Sequence, residues 1–151
     1  MKLSTRMRYG TRALVDLAFV YPKRVVSIKE MAEHQGLSVK YLEHIMLLLK
    51  TSGMVKVARG KNGGYCLAKD PTSARLIDVY HALEGPITLV DCTDAPETCP
   101  LSDECVTRDV WAEMERAIES VLMATSLEDL VKRKKEKCRT SQLKRSEVSS
   151  N

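Results

Sequence analysis

Apolar residues recur at helical spacing along the first third of the chain, and this pattern predicts three helices. The first helix is expected over residues 5–21, ahead of a proline that stops it. A capping box, Ser-x-x-Glu at 27–30, opens a short second helix that ends at Gly36. Ser38 caps a third helix, which closes at Gly53. A short helix, a tight turn with a glycine and a second helix form the helix-turn-helix arrangement.

Two short β-strands are predicted after the third helix, at 54–57 and 65–67. The segment between them, ARGKNGG, holds three glycines and two cations. Glycines allow positive φ in a hairpin turn, so we expect a hairpin wing with a cationic tip. The segment matches neither GxxxxGK(S/T) nor GxGxxG and opens no helix, which disfavours a nucleotide site.

The second half of the chain predicts three more helices and a basic end. A short helix is expected over 76–83, a long one over 106–124, and a last short one from the cap Ser126 to about Val131. Residues 132–151 are basic and almost without apolar side chains, which predicts a disordered tail.

The long helix over 106–124 has an apolar surface that is wide for a helix packed on one side only. We infer that it also packs against the same helix of a second subunit, around a two-fold axis. The residues predicted at this dimer interface are Val110, Met114, Ala117 and Val121.

Charge is distributed unevenly along the chain. Residues 1–65 carry 12 Lys/Arg against 4 Asp/Glu, residues 66–131 carry 4 against 14, and residues 132–151 carry 8 against 2. A basic first half is typical of a protein that binds a polyanion such as DNA, and the acidic middle should lie away from that partner. No apolar run approaches the ~18 residues of a membrane span, and the start lacks the apolar core of a secretory signal. We therefore expect a cytoplasmic protein without a membrane partner.

The five cysteines are an odd number in a chain with no export signal, which disfavours a disulfide framework. Cys92, Cys99 and Cys105 fall within 14 residues, in a loop that also contains Pro96 and Pro100. Three thiols so close in sequence can converge on one point, and soft thiolates suit an iron–sulfur cluster or zinc. The paired C-x2-C knuckles common in zinc sites are absent.

Five segments in order give the chain a resemblance to the IscR-like (Rrf2) family of regulators, up to about residue 131. They are MKLSTRMRYGTRALVDLA, GLSVKYLEHIMLLLKTSGMV, RGKNGGYCLA, LIDVYHALEGP and the cysteine loop that leads into CVTRDVW. The resemblance implies a dimeric winged helix-turn-helix protein with a long, crossed dimerisation helix.

The resemblance also implies that Cys92, Cys99 and Cys105 ligate an iron–sulfur cluster, either 2Fe-2S or 4Fe-4S. Some members of the family add a histidine three residues after the third cysteine, where this chain has Arg108. Others add an acidic residue near the start of the first helix, where it has Arg8. The remaining candidates for a fourth ligand are Asp103, Glu104, Asp109, solvent or a small thiol.

The third helix and the wing are the elements expected to contact DNA, the helix through its N-terminal end in the major groove. Glu43 can accept a hydrogen bond from cytosine N4, so we assign it to sequence specificity, and Lys40 and Tyr41 to phosphates. Arg59, Lys61 and Asn62 on the wing would reach the minor groove, where arginine favours narrow A·T-rich stretches. The predicted DNA-binding residues are Ser38, Lys40, Tyr41, Glu43 and His44 on the helix, and Arg59, Gly60, Lys61 and Asn62 on the wing.

Taken together, the chain is predicted to be mainly α-helical with a small β-hairpin. We expect a winged helix-turn-helix DNA-binding domain over 1–85, a cluster-binding cysteine loop over 86–105, a dimerisation helix and short following helix over 106–131, and the tail over 132–151.

The predicted function is that of a homodimeric transcriptional regulator of double-stranded promoter DNA, controlled by an iron–sulfur cluster. The cluster would act as a redox sensor of iron–sulfur status or of oxidative or nitrosative stress. The alternative is a cluster-free winged-helix regulator that uses zinc, thiol oxidation or a partner protein. No nucleophile–base pair, HExxH motif or phosphate loop is present, so an enzyme is not expected.

Overall fold

The structure, a computed structural model, describes residues 3–148 and the side chains of residues 3–142. It confirms the predicted class, since α-helices dominate and one antiparallel hairpin is the sheet of the described residues. The elements are α1 (Thr5–Val20), α2 (Ile28–Gln35), α3 (Val39–Thr51), β1 (Val55–Ala58), β2 (Gly64–Leu67), α4 (Leu76–Glu84), α5 (Asp91–Asp94), α6 (Val106–Ala124) and α7 (Leu127–Val148). Two short 3-10 turns, Pro96–Thr98 and Ser102–Glu104, separate α5 from α6. None of the helices in this part of the chain is long and apolar enough to cross a membrane.

The helix-turn-helix forms at its predicted caps. The Ser27 hydroxyl accepts from the Glu30 amide at 3.2 Å, and the Ser38 hydroxyl accepts from the Tyr41 amide at 3.2 Å. Gly36 ends α2 at φ 66°, a left-handed conformation that glycine adopts without a Cβ clash. The Glu30 carboxylate does not complete the capping box, because it forms two hydrogen bonds with the Arg24 guanidinium instead.

One apolar core joins α3 to the helices around it. Four side chains of α3 are completely buried, at 0% exposure: Leu42, Ile45, Met46 and Leu49. Leu14 and Leu17 of α1 and Val79 of α4 close this core. Burying one such side chain stabilises a fold by about 1.5–3 kcal/mol, so this stripe fixes how α3 is rotated on the body of the domain.

Gly10 is the point of closest approach between α1, α3 and α4. A Cβ at this position would lie 2.5 Å from Leu83 Cδ1 and 3.2 Å from Ile45 Cγ2. Both distances are shorter than ordinary van der Waals contact, so a larger residue would push the three helices apart.

The hairpin is attached to the helical body by a short third segment. β1 and β2 pair antiparallel from Val55 opposite Leu67 to Ala58 opposite Gly64. The Tyr65 amide then donates to the Val26 carbonyl at 2.8 Å, and the Val26 amide donates back at 2.9 Å. A Cβ on Gly64 would lie 2.5 Å from the Val26 carbonyl oxygen, so the bridge needs a glycine there.

The end of the chain corrects one prediction, because α7 continues through residues 132–148, where disorder was expected. The Ser126 hydroxyl accepts from the Asp129 amide at 3.1 Å, and Leu127 and Val131 are buried in the core. Once this first turn is anchored, each further residue adds a helical hydrogen bond without the entropic cost of nucleating a new helix. Residues 149–151 of the predicted tail lie outside the described residues.

The next turn of α7 is held by polar contacts with α1. Lys134 Nζ donates to Asp16 Oδ1 at 2.7 Å, and its ammonium lies 5.2 Å from the centre of the Phe19 ring. The ammonium of Lys135 lies 5.7 Å from the same ring centre. Composition alone does not reveal these cation–π contacts, which is why the basic stretch looked unstructured.

We predict that Gly10→Val destabilises the fold by about 1–3 kcal/mol, because the new side chain overlaps Leu83 and Ile45. Chemical denaturation followed by circular dichroism measures this change. Arg8→Val is the matched control, because it places the same β-branched residue at an exposed position of α1. Equal stability of the two variants would contradict the close packing at Gly10.

Candidate functional site

The N-terminal half of α3 presents polar side chains on the side opposite the core. Ser38, Lys40, Glu43 and His44 are all exposed. The positive charge of Lys40 and the hydrogen-bonding groups of Glu43 and His44 therefore face solvent from a helix whose other side is fixed by packing.

Tyr41 is half-buried and connects α3 to the start of α1. Its hydroxyl donates to Thr5 Oγ1 at 3.1 Å, and its ring meets the Tyr9 ring edge-on with centroids 6.3 Å apart. The guanidinium carbons of Arg8 and Arg12 lie 5.7 and 5.6 Å from the centre of the Tyr9 ring. These contacts place two α1 cations beside α3. Sequence analysis missed Tyr9 and Arg12, although an aromatic residue between arginines one and three positions away was visible.

The predicted wing residues form the exposed tip between β1 and β2. Arg59, Gly60, Lys61 and Asn62 are all exposed, and Gly60 has a φ of 111° that a residue with a side chain rarely adopts. The Gly63 amide donates to the Gly60 carbonyl at 3.0 Å and closes the turn. Within residues 3–142, neither cation of the tip forms a salt bridge.

Glu43 lies close enough to β2 to affect Tyr65. Partial burial of the Tyr65 phenol raises its pKa, and the negative charge of Glu43 raises it further. The N-terminal half of α3 and strand β2 therefore lie near each other at Glu43 and Tyr65.

The three predicted ligand cysteines lie in one segment but at different structural positions. Cys92 is in α5, Cys99 follows the first 3-10 turn, and Cys105 is the N-cap of α6. All three are partly buried, free thiols. Among the described residues, no three Cys, His, Asp or Glu side chains form a group that could hold a metal ion. The segment therefore contains the three thiols but does not bring them together around one point.

Two side chains of α6 fix the cysteine segment to that helix. Arg108 Nε donates to the Cys92 carbonyl at 2.8 Å. Glu115 Oε1 accepts from the Leu89 amide at 2.6 Å and from the Thr93 hydroxyl at 2.7 Å. Sequence analysis missed both roles, because the partners are 16 to 26 residues apart in sequence.

The Cys105 thiol is hydrogen-bonded at the start of α6. Its Sγ lies 3.2 Å from the Thr107 hydroxyl. This hydrogen bond lowers the pKa of the Cys105 thiol, and the Arg108 backbone amide at the start of α6 lowers it further. The thiolate is the form that binds metals and reacts as a nucleophile.

The predicted dimer helix leaves its apolar residues uncovered in this chain. No residue of α6 is buried, and the exposure is 49% for Val110, 42% for Met114 and 65% for Val121. Ala117 is also exposed. The spacing of 4, 3 and 4 residues places these four side chains on one face of the helix. The opposite side of α6 packs on α4 and α5.

Comparison with known proteins identifies the family. Residues 3–133 match the family Rrf2, described as "Iron-dependent Transcriptional regulator". The protein rrf2 of Nitratidesulfovibrio vulgaris is 40% identical over 87% of this chain and 88% of its own length. The HTH-type transcriptional regulator IscR of Xenorhabdus nematophila is 33% identical over 87% of this chain and 80% of its own.

Solved structures give the same result. The global cysteine regulator CymR of B. subtilis superposes with a TM-score of 0.76 at 34% identity, covering 88% of this chain and 98% of CymR. T. potens IscR superposes with a TM-score of 0.74 at 36% identity and covers 90% of both chains. These relatives are transcriptional regulators and not enzymes. The chain therefore belongs to the Rrf2 family of DNA-binding transcriptional regulators.

Proposed function

We propose that the chain binds promoter DNA as a homodimer and that an iron–sulfur cluster on the cysteine segment controls this binding. The observation that carries the proposal is that the polar N-terminal half of α3 and the cationic wing tip are both exposed. Lys40 is available to phosphates, and Glu43 to a base edge in the major groove. Tyr41 would contact a phosphate by exchanging the hydrogen bond of its hydroxyl with Thr5. A cytoplasmic location remains a prediction that depends on this role.

The α1 cations support the same assignment. Arg8 and Arg12 are exposed and held at the Tyr9 ring, which itself contacts Tyr41 of α3. Because cations near the recognition helix neutralise phosphates on either side of the groove, they would fix the register of the helix on the duplex. Arg59 and Lys61 would add positive charge from the wing, in the minor groove.

The uncovered face of α6 supports dimerisation. Val110, Met114 and Val121 are exposed in the single chain, and a two-fold axis would bury the same face of both copies against each other. A dimer would also present two copies of α3 to the DNA, as expected for an operator with two half-sites.

The cysteine segment has three thiols that are suitable ligands for an iron–sulfur cluster. Cys92, Cys99 and Cys105 would hold it, and the lowered pKa of Cys105 favours the ligating thiolate. When bound, the cluster would supply a redox-active centre whose state changes with oxidants or iron supply. Since the thiols are not gathered in the free chain, cluster binding would be coupled to a rearrangement of the segment.

Arg108 connects this segment to the dimer helix. In the free chain its guanidinium holds the Cys92 carbonyl, so a rearrangement at Cys92 would reach α6 directly. The distance between the two copies of α3 would then change, because the α6 helices connect them across the dimer axis. A cluster controls DNA binding only if it favours one of these arrangements over the other.

A cluster-free regulator is the second candidate. The observation that favours it is the absence, within the described residues, of a preassembled metal-binding group. The similarity to CymR, a global cysteine regulator, points in the same direction. In this case zinc, thiol oxidation or a partner protein would act on the same cysteine segment.

We predict that Arg59→Ala/Lys61→Ala weakens DNA binding and lowers the slope of log affinity against log salt by roughly 1–2, because two cations that would lie in the minor groove between the phosphate backbones are lost. Fluorescence anisotropy with a duplex selected from a random library measures both quantities. Lys132→Ala/Lys135→Ala removes the same charge from α7 and is the matched control. An equal loss in both variants would show that overall charge, and not the wing, determines the affinity.

We predict that Val110→Glu/Met114→Glu converts the protein from a dimer to a monomer of 17.0 kDa, because four carboxylates would meet at the two-fold axis. Analytical ultracentrifugation measures the mass. Met123→Glu is the control, since Met123 is exposed on α6 but lies about 200° around the helix from Val121. A double variant that remains dimeric would refute this interface.

We predict that protein purified without oxygen contains iron and sulfide in equal amounts and shows visible thiolate-to-iron charge-transfer bands. Cys99→Ala should abolish them, while Cys66→Ala on β2 should leave them unchanged. A colourless protein after anaerobic reconstitution would contradict the cluster and favour the second candidate. Equal DNA affinity of the holo and apo forms would contradict control by the cluster.

A further inference from the structure

A cleft of about 550 Å³ lies between α1, the C-terminal end of α2 and the start of α7. Among the residues proposed above to bind DNA, the cluster or a second subunit, Arg12 is the one that lines it. Its volume falls in the range of roughly 300–1,000 Å³ that is usual for small-molecule sites.

The rim of the cleft is strongly cationic. Arg12 of α1 and Arg133, Lys134 and Lys137 of α7 line it. Lys134 is paired with Asp16, but the other three cations form no salt bridge within residues 3–142. Three cations without an acidic partner at one cleft attract an anion, which guanidinium and ammonium groups bind through charge-assisted hydrogen bonds.

The residues that line the cleft also include apolar side chains and one side chain with an unsatisfied polar atom. Val15 and Leu130 supply the apolar surface. Gln35 is 7% exposed; its Nε2 donates to Asp16, and its Oε1 is buried with no hydrogen-bond donor among the described residues. A buried acceptor without a donor is unfavourable, so Gln35 has the capacity for one more hydrogen bond from an N–H or O–H group.

We propose that this cleft binds a small organic anion, a carboxylate or phosphate ester with an apolar body and a hydrogen-bond donor. The cations bind the anionic group, Val15 and Leu130 cover the body, and Gln35 Oε1 accepts from the donor. Gln35 is the last residue of α2, and Gly36 alone separates it from the segment that leads into α3. The site therefore adjoins the turn of the helix-turn-helix, and it requires neither the cluster nor the dimer.

The probe for this site is 8-anilinonaphthalene-1-sulfonate, an anion with an aromatic body whose fluorescence rises in apolar sites. We expect Arg133→Gln/Lys137→Gln in the full chain to weaken its binding roughly three- to tenfold, because two charge contacts are lost. Lys132→Gln/Lys135→Gln is the matched control, with the same charge change on the same helix at residues that do not line the cleft. Dye bound to α6 contributes equally in both variants.

Cys138 at the edge of the cleft provides a second measurement. Saturating dye should slow the alkylation of Cys138 by N-ethylmaleimide, followed by peptide mass spectrometry, and leave that of Cys66 unchanged. Equal dye affinity of the two double variants, or no protection of Cys138, would overturn the proposal. Displacement of the dye by a duplex without an operator would also overturn it, since the cleft would then be a nucleic-acid surface.

Discussion

Burial of one stripe of α3 is the constraint on which the rest of the DNA-binding half depends. Leu42, Ile45, Met46 and Leu49 are inaccessible to solvent, so the helix cannot rotate without exposing apolar surface worth several kcal/mol. This fixes Lys40, Glu43 and His44 on the opposite side. Gly10 allows the helices to approach closely enough to close that core, and the Val26–Tyr65 bridge fixes the wing relative to it.

The two halves of the molecule are held by different forces. The winged helix has a continuous apolar core, whereas the cysteine segment rests on α6 through hydrogen bonds from Arg108 and to Glu115. Hydrogen bonds of this kind contribute about 1 kcal/mol each, so such a segment can change its path at small cost. A rigid winged helix joined to a segment that can rearrange at small cost is a suitable arrangement for a regulator.

Local signals made much of this fold predictable. Ser27, Gly36 and Ser38 act within one turn of the backbone, and the sequence shows such caps directly. The continuation of α7 was not predictable in this way, because its first turns are fixed by Leu127 in the distant core and by Lys134 on Asp16. The same holds for the cysteines: spacing predicted a shared segment, but the positions of the thiols depend on contacts with α6 that spacing does not encode.

Asp16 joins three elements at one carboxylate. It accepts from His34 Nδ1 at 2.8 Å and from Gln35 at the end of α2, and from Lys134 Nζ at 2.7 Å. The family match ends at residue 133, immediately before that lysine. A residue of α7 beyond the matched range therefore contacts the carboxylate that also holds the end of α2. A hybrid protein in which the segment after residue 133 is replaced would lose one of the contacts of the carboxylate that holds α1 against the end of α2.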